Sequence, residues 1–354
     1  MPLKKTVNSS YSRWMDADGP EADIVISSRV RVARNLAGKP FPHLSNNEKA
    51  EDIIRAVRLA VEDKELAKQV GALEISLLSE LSPVERQILV DKHLISPDLL
   101  SSFEWKAVVL RDDEVISIMV NEEDHLRIQC LLPGLQLKEA WELINQVDDG
   151  LEKTLDYAFS EKLGYLTACP TNVGTGMRAS VMLHLPGLGL TKQLSGVLNA
   201  INKVGLTVRG LFGEGTEALG DMFQISNQIT LGQSEEEIID NLVAVAKQII
   251  AQEQAARRAL YNGRREVFED RIYRAYGTLK YAHILTFEEA MRLFSDLRLG
   301  IEMGLVSGIP AKLLNELMVK IRPAFLVKLA GQDMTAQQRD IFRAEMIRKE
   351  FEGS

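Results

Sequence analysis

The sequence predicts an α+β fold: an antiparallel sheet flanked by helices, followed by a helical C-terminal segment. Three observations carry this. Short apolar runs joined by tight turns fall early in the chain, the pattern of antiparallel strands. Amphipathic stretches opening on capping signatures separate them. The last hundred or so residues read almost entirely as helix, and there the charge changes sign, from net −12 over residues 1–256 to net +4 over residues 257–354.

Taken in order, Asp23–Val32 reads as the first strand, after an N-terminal extension over residues 1–22. Ser45–Asp63 reads as a helix opening on the box Ser45-Asn46-Asn47-Glu48. Lys106–Leu110, Val115–Val120 and Leu126–Leu131 read as strands, the first two joined by the hairpin turn Arg111-Asp112-Asp113-Glu114. Lys138–Leu155 is helical. Ser234–Leu260 starts on Ser234-Glu235-Glu236-Glu237 and repeats apolar residues at Ile238, Leu242, Val245 and Ile249. Two later helices begin on capping boxes, Thr286–Leu297 on Thr286-Phe287-Glu288-Glu289 and Thr335–Glu352 on Thr335-Ala336-Gln337-Gln338. The charge shift places a domain boundary near residue 257, giving units 23–256 and 257–354.

Composition sets outer limits. A net charge of −8 argues against a general nucleic-acid binder. Two cysteines, Cys130 and Cys169, make no disulfide framework, so a reducing cytoplasm is expected. The N-terminus lacks the apolar core of a signal peptide, and no apolar run is long enough to span a membrane.

Five arginines sit where strands end or loops begin: Arg29, Arg31, Arg127, Arg178 and Arg209. Arg29 and Arg31, two apart on a strand, share a face. Each alone reads as a surface residue. Converging on one cleft they would clamp a polyphosphate, because a guanidinium forks onto phosphate oxygens and keeps its charge. Asn121-Glu122-Glu123-Asp124-His125 puts three carboxylates after an apolar strand; it reads as a solvated turn, or as a site where one glutamate faces a cation and its neighbour points away. Gly213-Glu214-Gly215-Thr216-Glu217 could close the other side of such a cation. Cys169 lies in the glycine-bearing loop leading to Arg178 and reads equally as a small buried residue or a thiolate. Cys130, within an apolar strand, reads as structural.

Set in order, Ser28-Arg29-Val30-Arg31, Asn121 to Arg127, Cys169-Pro170-Thr171-Asn172-Val173-Gly174-Thr175, Arg178-Ala179-Ser180-Val181, and Arg209 through Glu214 to Ile225-Ser226-Asn227 resemble the phosphagen (guanidino) kinases across roughly residues 23–256. The resemblance implies a glutamine-synthetase-like antiparallel core and phosphoryl transfer from ATP, with Mg2+ carried by the nucleotide phosphates rather than by protein side chains. It assigns ATP to Ser28, Arg29, Arg31, His93 (beside the adenine), Arg127, Arg178 and Arg209. It assigns the acceptor guanidinium to Glu123, Glu214 and Cys169.

Small-molecule members carry a helical domain ahead of this strand, and here the strand arrives by Ser27, so an acceptor arginine held within a protein is expected. The C-terminal segment adds Arg339-Asp340-Ile341-Phe342-Arg343-Ala344. With it the chain resembles the bacterial protein-arginine kinases, a branch of the family, which implies a dimerising domain with a phosphoarginine pocket at Arg339, Asp340, Arg343 and Ala344. That resemblance further implies a cytoplasmic, stress-linked homodimer. Its partners would be protein substrates with accessible arginine, a heat-shock repressor, an activator protein and an ATP-dependent protease. Two alternatives stay open: a kinase for free arginine, and a non-catalytic phosphoarginine-binding adaptor.

Overall fold

The computed structural model describes residues 2–212 and 218–352. Its centre is a sheet whose strands, in chain order, are β1 (Val25–Arg34), β2 (Leu73–Leu77), β3 (Ala107–Arg111), β4 (Ile116–Val120) and β5 (Leu126–Pro133). A short hairpin, β6 (Phe159–Ser160) with β7 (Gly164–Tyr165), stands apart, and β8 (Met177–His184), β9 (Leu206–Phe212) and β10 (Ala218–Asn227) complete the sheet. The spatial order is β2-β3-β4-β5-β1-β8-β10-β9, with every neighbouring pair antiparallel. This is the expected α+β architecture.

Alternation along the strands sends two residue sets to opposite faces. One face is apolar: Val30, Val32, Ile118, Ile128, Cys130, Ala179, Val181 and Ile225 pack in one core with helices Asn47–Val61, Leu137–Glu152 and Glu235–Gly263. The helices form where expected, with one shifted cap. Asn46, not Ser45, caps the first, its side chain accepting from the Lys49 amide, so the helix begins one residue later than the box predicts. The boxes at Ser234 and Thr335 close reciprocally through Glu237 and Gln338. Thr286 caps Phe287–Glu302.

Among the described residues, the other face is covered at its two ends. Towards β2–β4, Val108, Leu110 and Met119 pack with Leu3, Val7, Leu89 and Leu94. Towards the C-terminal helices, Ile26, Leu131, Met182 and Met222 share a core with Trp14, Met15, Met291 and Phe294. Between these covers lies an open polar strip. The helix Glu235–Gly263 runs unbroken through residue 257, where the charge changes sign.

Candidate active site

The polar strip is built by strand register. On β1, Arg29 stands between Leu131 of β5 and Ser180 of β8, and Arg31 between Gln129 and Arg178. Ala33 faces Arg127. On the other side of β8, Ser180 faces Ser226, and Gln224 of β10 faces Arg209 of β9. The five arginines expected to converge therefore stand on one face of one sheet.

Like charges directly opposite across a ladder repel, and Arg31 and Arg178 are such a pair. Burial and the neighbouring cations push Arg29 down to about 10, Arg31 well below its ordinary value, and Arg178 downwards. Among the described residues, Arg127 is the one of the five with an ion-pair partner, Glu122. Arg29 donates to Gln224 Oε1 (2.9 Å) and Arg178 to Ser226 Oγ (3.2 Å). Among the described residues, Nε of Arg31 and Nε of Arg178 are buried without a hydrogen-bond acceptor. Buried donors without acceptors and unneutralised cations are the signature of a site shaped for a polyanion.

The acidic turn after β4 divides its carboxylates. Asn121 takes φ 60°, a left-handed conformation asparagine tolerates, and its side-chain amide donates to Ala50 O and Trp105 O. Glu122 turns inward, accepting from Arg127 Nη1 at 2.8 and 3.0 Å and from Ser96 Oγ. Asp124 is buried too; its Oδ1 accepts from Asn35 (2.6 Å) and from the Ala168 amide (2.7 Å). Glu123 alone stays exposed. Partial burial, then the adjacent Asp124, raise its pKa, against the pull of Arg127.

The Asp124–Ala168 bond delivers the next residue, Cys169, to the same place. A cavity of about 120 Å3 is lined by Arg31, Arg127, Arg178, Glu123, Cys169 and Asn172, among others. Cys169 is half-buried, its Sγ 3.0 Å from Thr171 Oγ1. The following loop is pinned from both sides. Tyr165 N–H donates to Gly174 O (2.8 Å), and Thr230 Oγ1 donates to Thr171 O (2.9 Å) and Val173 O (2.8 Å). Gly174 has φ +111°, and a Cβ there would lie 2.3 Å from Thr230 O. Below the loop, buried Arg34 pairs with Asp148, donates to Thr175 O and lies 3.4 Å over the Tyr165 ring.

A second cavity of only about 10 Å3 adjoins along the strip, lined by Ser27, Arg29, His93, Leu131, Ser180, Met182 and Gln224. It offers an apolar floor and polar edges beside a cation. Burial first, then Arg322 and Arg29, drive His93 down to about 3, so its ring is neutral.

Several expected residues fall differently. Ser28 leaves the nucleotide set. Alternation turns it to the helix-covered face, where its hydroxyl donates to Gly134 O (2.8 Å) and accepts from the Gln136 amide (2.9 Å). Ser27 lines the second cavity instead, together with Gln224 and Ser180, while Asn172 lines the first; none of these uncharged residues drew a role from the sequence, although Asn172 and Ser180 stand in the matched segments. Glu214 lies outside the described residues. In the C-terminal motif, Arg343 is only 2% exposed, its guanidinium donating to Ile321 O (3.0 Å), Leu285 O (2.8 Å) and Asp340. Ala344 is fully buried. Arg339 donates to Met334 O; it and Asp340 are half-buried, and Ile341 is the exposed residue of that motif. Cys130 is buried and its thiol pushed up to about 12.

Comparison with known proteins places the chain in a family. A family model described as "ATP:guanido phosphotransferase, C-terminal catalytic domain" matches residues 52–256. Another, "Protein-arginine kinase McsB C-terminal domain", matches residues 265–354. The chain is 76% identical over 351 residues to a protein-arginine kinase of Pelotomaculum thermopropionicum, covering 99% of each chain. It is 61% identical over 349 residues to one of Desulforamulus reducens, covering 99% of this chain and 98% of the relative. Among solved structures it resembles the duplicated taurocyamine kinase of Schistosoma mansoni, bound to transition-state analogue components, with TM-score 0.60 and 26% identity over 67% of this chain and 34% of that one. It also resembles a lombricine kinase with TM-score 0.56 and 25% identity, over 72% and 73% of the two chains. Members of the matched family use ATP as phosphoryl donor. The chain belongs to the protein-arginine kinase family of ATP:guanido phosphotransferases.

Proposed function

We propose that the protein transfers the γ-phosphoryl group of ATP to the guanidinium of arginine residues in proteins. One observation carries the reading: Arg31, Arg127 and Arg178 meet Glu123 and Cys169 in a single cavity. The arginines supply what a metaphosphate-like transition state needs, fixed positive charge around equatorial oxygens. Glu123 supplies what the acceptor needs, a carboxylate to orient the guanidinium and take the proton it loses. As the N–P bond forms, the bond from the γ-phosphorus to the bridging oxygen breaks, ADP leaves, and the nitrogen gives up one proton.

Arg29 and Arg209 extend the cation track, and the adjoining cavity, with His93 on its wall, would take the base only by widening, since at about 10 Å3 it has room for little more than a water. Glu214 would complete the guanidinium grip, and Cys169 would contact it from the side. Mg2+, riding on the ATP phosphates, would neutralise charge on the leaving group.

The same reading assigns residues 23–256 to catalysis and 257–354 to dimerisation and phosphoarginine binding. With Arg343 engaged inside the fold, a phosphoarginine would meet Arg339 and Asp340 first. Regulation by bound product, a cytoplasmic stress role, and the repressor, activator and protease partners belong to this proposal through family likeness. The test is to incubate the purified protein with ATP and either an arginine-containing protein or free L-arginine. Acid-labile phosphate on protein arginines, read by mass spectrometry without acid exposure, is the expected result. Turnover of free arginine alone would overturn it, and no transfer to either would favour a non-catalytic adaptor.

A further inference from the structure

Residues 1–22 read as a simple extension, yet they reach the wall of the second cavity. Trp14 is 1% exposed and Met15 fully buried, packed with Ile26, Leu131 and Met182. Leu131 and Met182 are also the floor of that cavity. The indole Nε1–H donates to Lys92 O at 3.1 Å, and the ring sits 5.6 Å from the His93 ring, tilted by 57°. On its other side the same peptide is held by a second clamp from the N-terminus. Lys92 Nζ, fully buried, donates to Thr6 O (2.9 Å), Ser9 O (3.0 Å) and Glu114 (2.8 Å), and Ser12 Oγ bonds the same Glu114 carboxylate.

This double clamp has a reason. His93 takes φ 62°, a conformation a non-glycine residue holds only when its surroundings impose it. Its carbonyl accepts from Gln129 Nε2 (2.8 Å), on the face that carries Arg31. Without the indole, the backbone at Lys92–His93 loses a buried hydrogen bond and the imidazole loses an aromatic wall. We infer that Trp14 is a positioning residue for the nucleotide base: it fixes His93 against the cavity and thereby sets affinity for ATP. The inference rests on the reading of that cavity as the base site.

The experiment compares ATP with inorganic tripolyphosphate, which can occupy the arginines but has no base. Trp14→Phe keeps an aromatic ring and removes the N–H. It should weaken ATP binding by up to about tenfold, since the free protein would relieve the stranded Lys92 carbonyl by shifting His93 and ATP binding must reverse that shift. Tripolyphosphate inhibition and the KM for the protein acceptor should change less than about twofold. If His93 transmits the effect, Trp14→Phe combined with His93→Ala should bind ATP no worse than His93→Ala alone. Unchanged ATP affinity, equal weakening of tripolyphosphate, or additive losses would each overturn the inference. Should His93→Ala itself leave ATP binding intact, the base-site reading fails instead.

A second measurement keeps Trp14 in place. With the other two tryptophans replaced (Trp105→Phe, Trp141→Phe), emission from Trp14 should change on adding ATP and not on adding tripolyphosphate. No response to ATP would count against the coupling.

Discussion

At the residue scale, the site works by leaving some charges uncompensated while burying others in pairs. Glu122 and Glu123 are neighbours with opposite fates: one is locked to Arg127 and Ser96, the other faces the cavity rim. Replacing Glu123 by Gln should therefore cut turnover by roughly a hundredfold or more, within the range one general base contributes. ATP affinity should stay within about twofold, because no nucleotide-facing arginine pairs with this side chain. Equilibrium binding beside steady-state rates would separate the two effects. The pH dependence has a definite sign. The ionised form holds the cationic acceptor, and burial raises the pKa, so activity falls on acidification at a pH above that of an ordinary exposed glutamate. A profile of kcat/KM for the protein acceptor should show this acid limb, and Glu123→Gln should remove it.

At the scale of elements, the strands aim the arginines and the loops bring the acceptor groups to them. Much of this was legible in the sequence. The alternation of Arg29 and Arg31 announced a shared face, and the turn at 111–114 announced the β3–β4 hairpin. Ser28 shows where the reading slipped, since the same alternation that groups the arginines turns this serine away. Strands β8 and β10 escape the sequence reading, although Arg178, Ser180 and His184 alternate with Ala179, Val181 and Leu183 along β8; Met182 on the polar side interrupts the pattern. Met177–His184 is buried at every position but Arg178.

The Cys169 loop depends on Gly174 in a way no spacing reveals. With φ +111° and a would-be Cβ 2.3 Å from Thr230 O, Gly174→Ala should destabilise the fold by about 2–4 kcal/mol and displace Cys169. Gly38, at φ +68° with open space around it, serves as the control. Gly38→Ala should cost only about 1–2 kcal/mol, the conformational part. Denaturant midpoints for the two variants give the comparison, and equal losses would show that the contact with Thr230 carries no weight.

At the scale of the whole molecule, the C-terminal helices are joined to the catalytic sheet through its polar face. Gly220 has φ +67° and sits where a Cβ would press 2.8 Å from Met291 O on helix Phe287–Glu302. One residue on, Asp221 accepts from Ser295 Oγ (2.6 Å), which also meets Nε2 of fully buried His184 (2.8 Å). Burial first, then Arg257 and Arg298, hold His184 well below its ordinary pKa, so the imidazole is neutral and Ser295 bridges it to the carboxylate. Arg257 adds bonds to the carbonyls of Asp23 and His184. Asp221 lies on the strand that carries Gln224 and Ser226, the partners of Arg29 and Arg178. The joint thus ends three residues from the cation track.

Two consequences follow from a joint that is both buried and shared. The full chain should unfold in a single transition, because Ile26, Leu131, Met182 and Met222 would be exposed if the helices left first. Ser295→Ala should lower stability by about 1–3 kcal/mol, since it strands the Asp221 carboxylate beside a neutral imidazole. The single transition should persist, moved to lower denaturant without a change in slope. A split into two transitions, one monitored by phosphoryl transfer and the other by helix content, would mean the halves fold independently and the shared core is not cooperative.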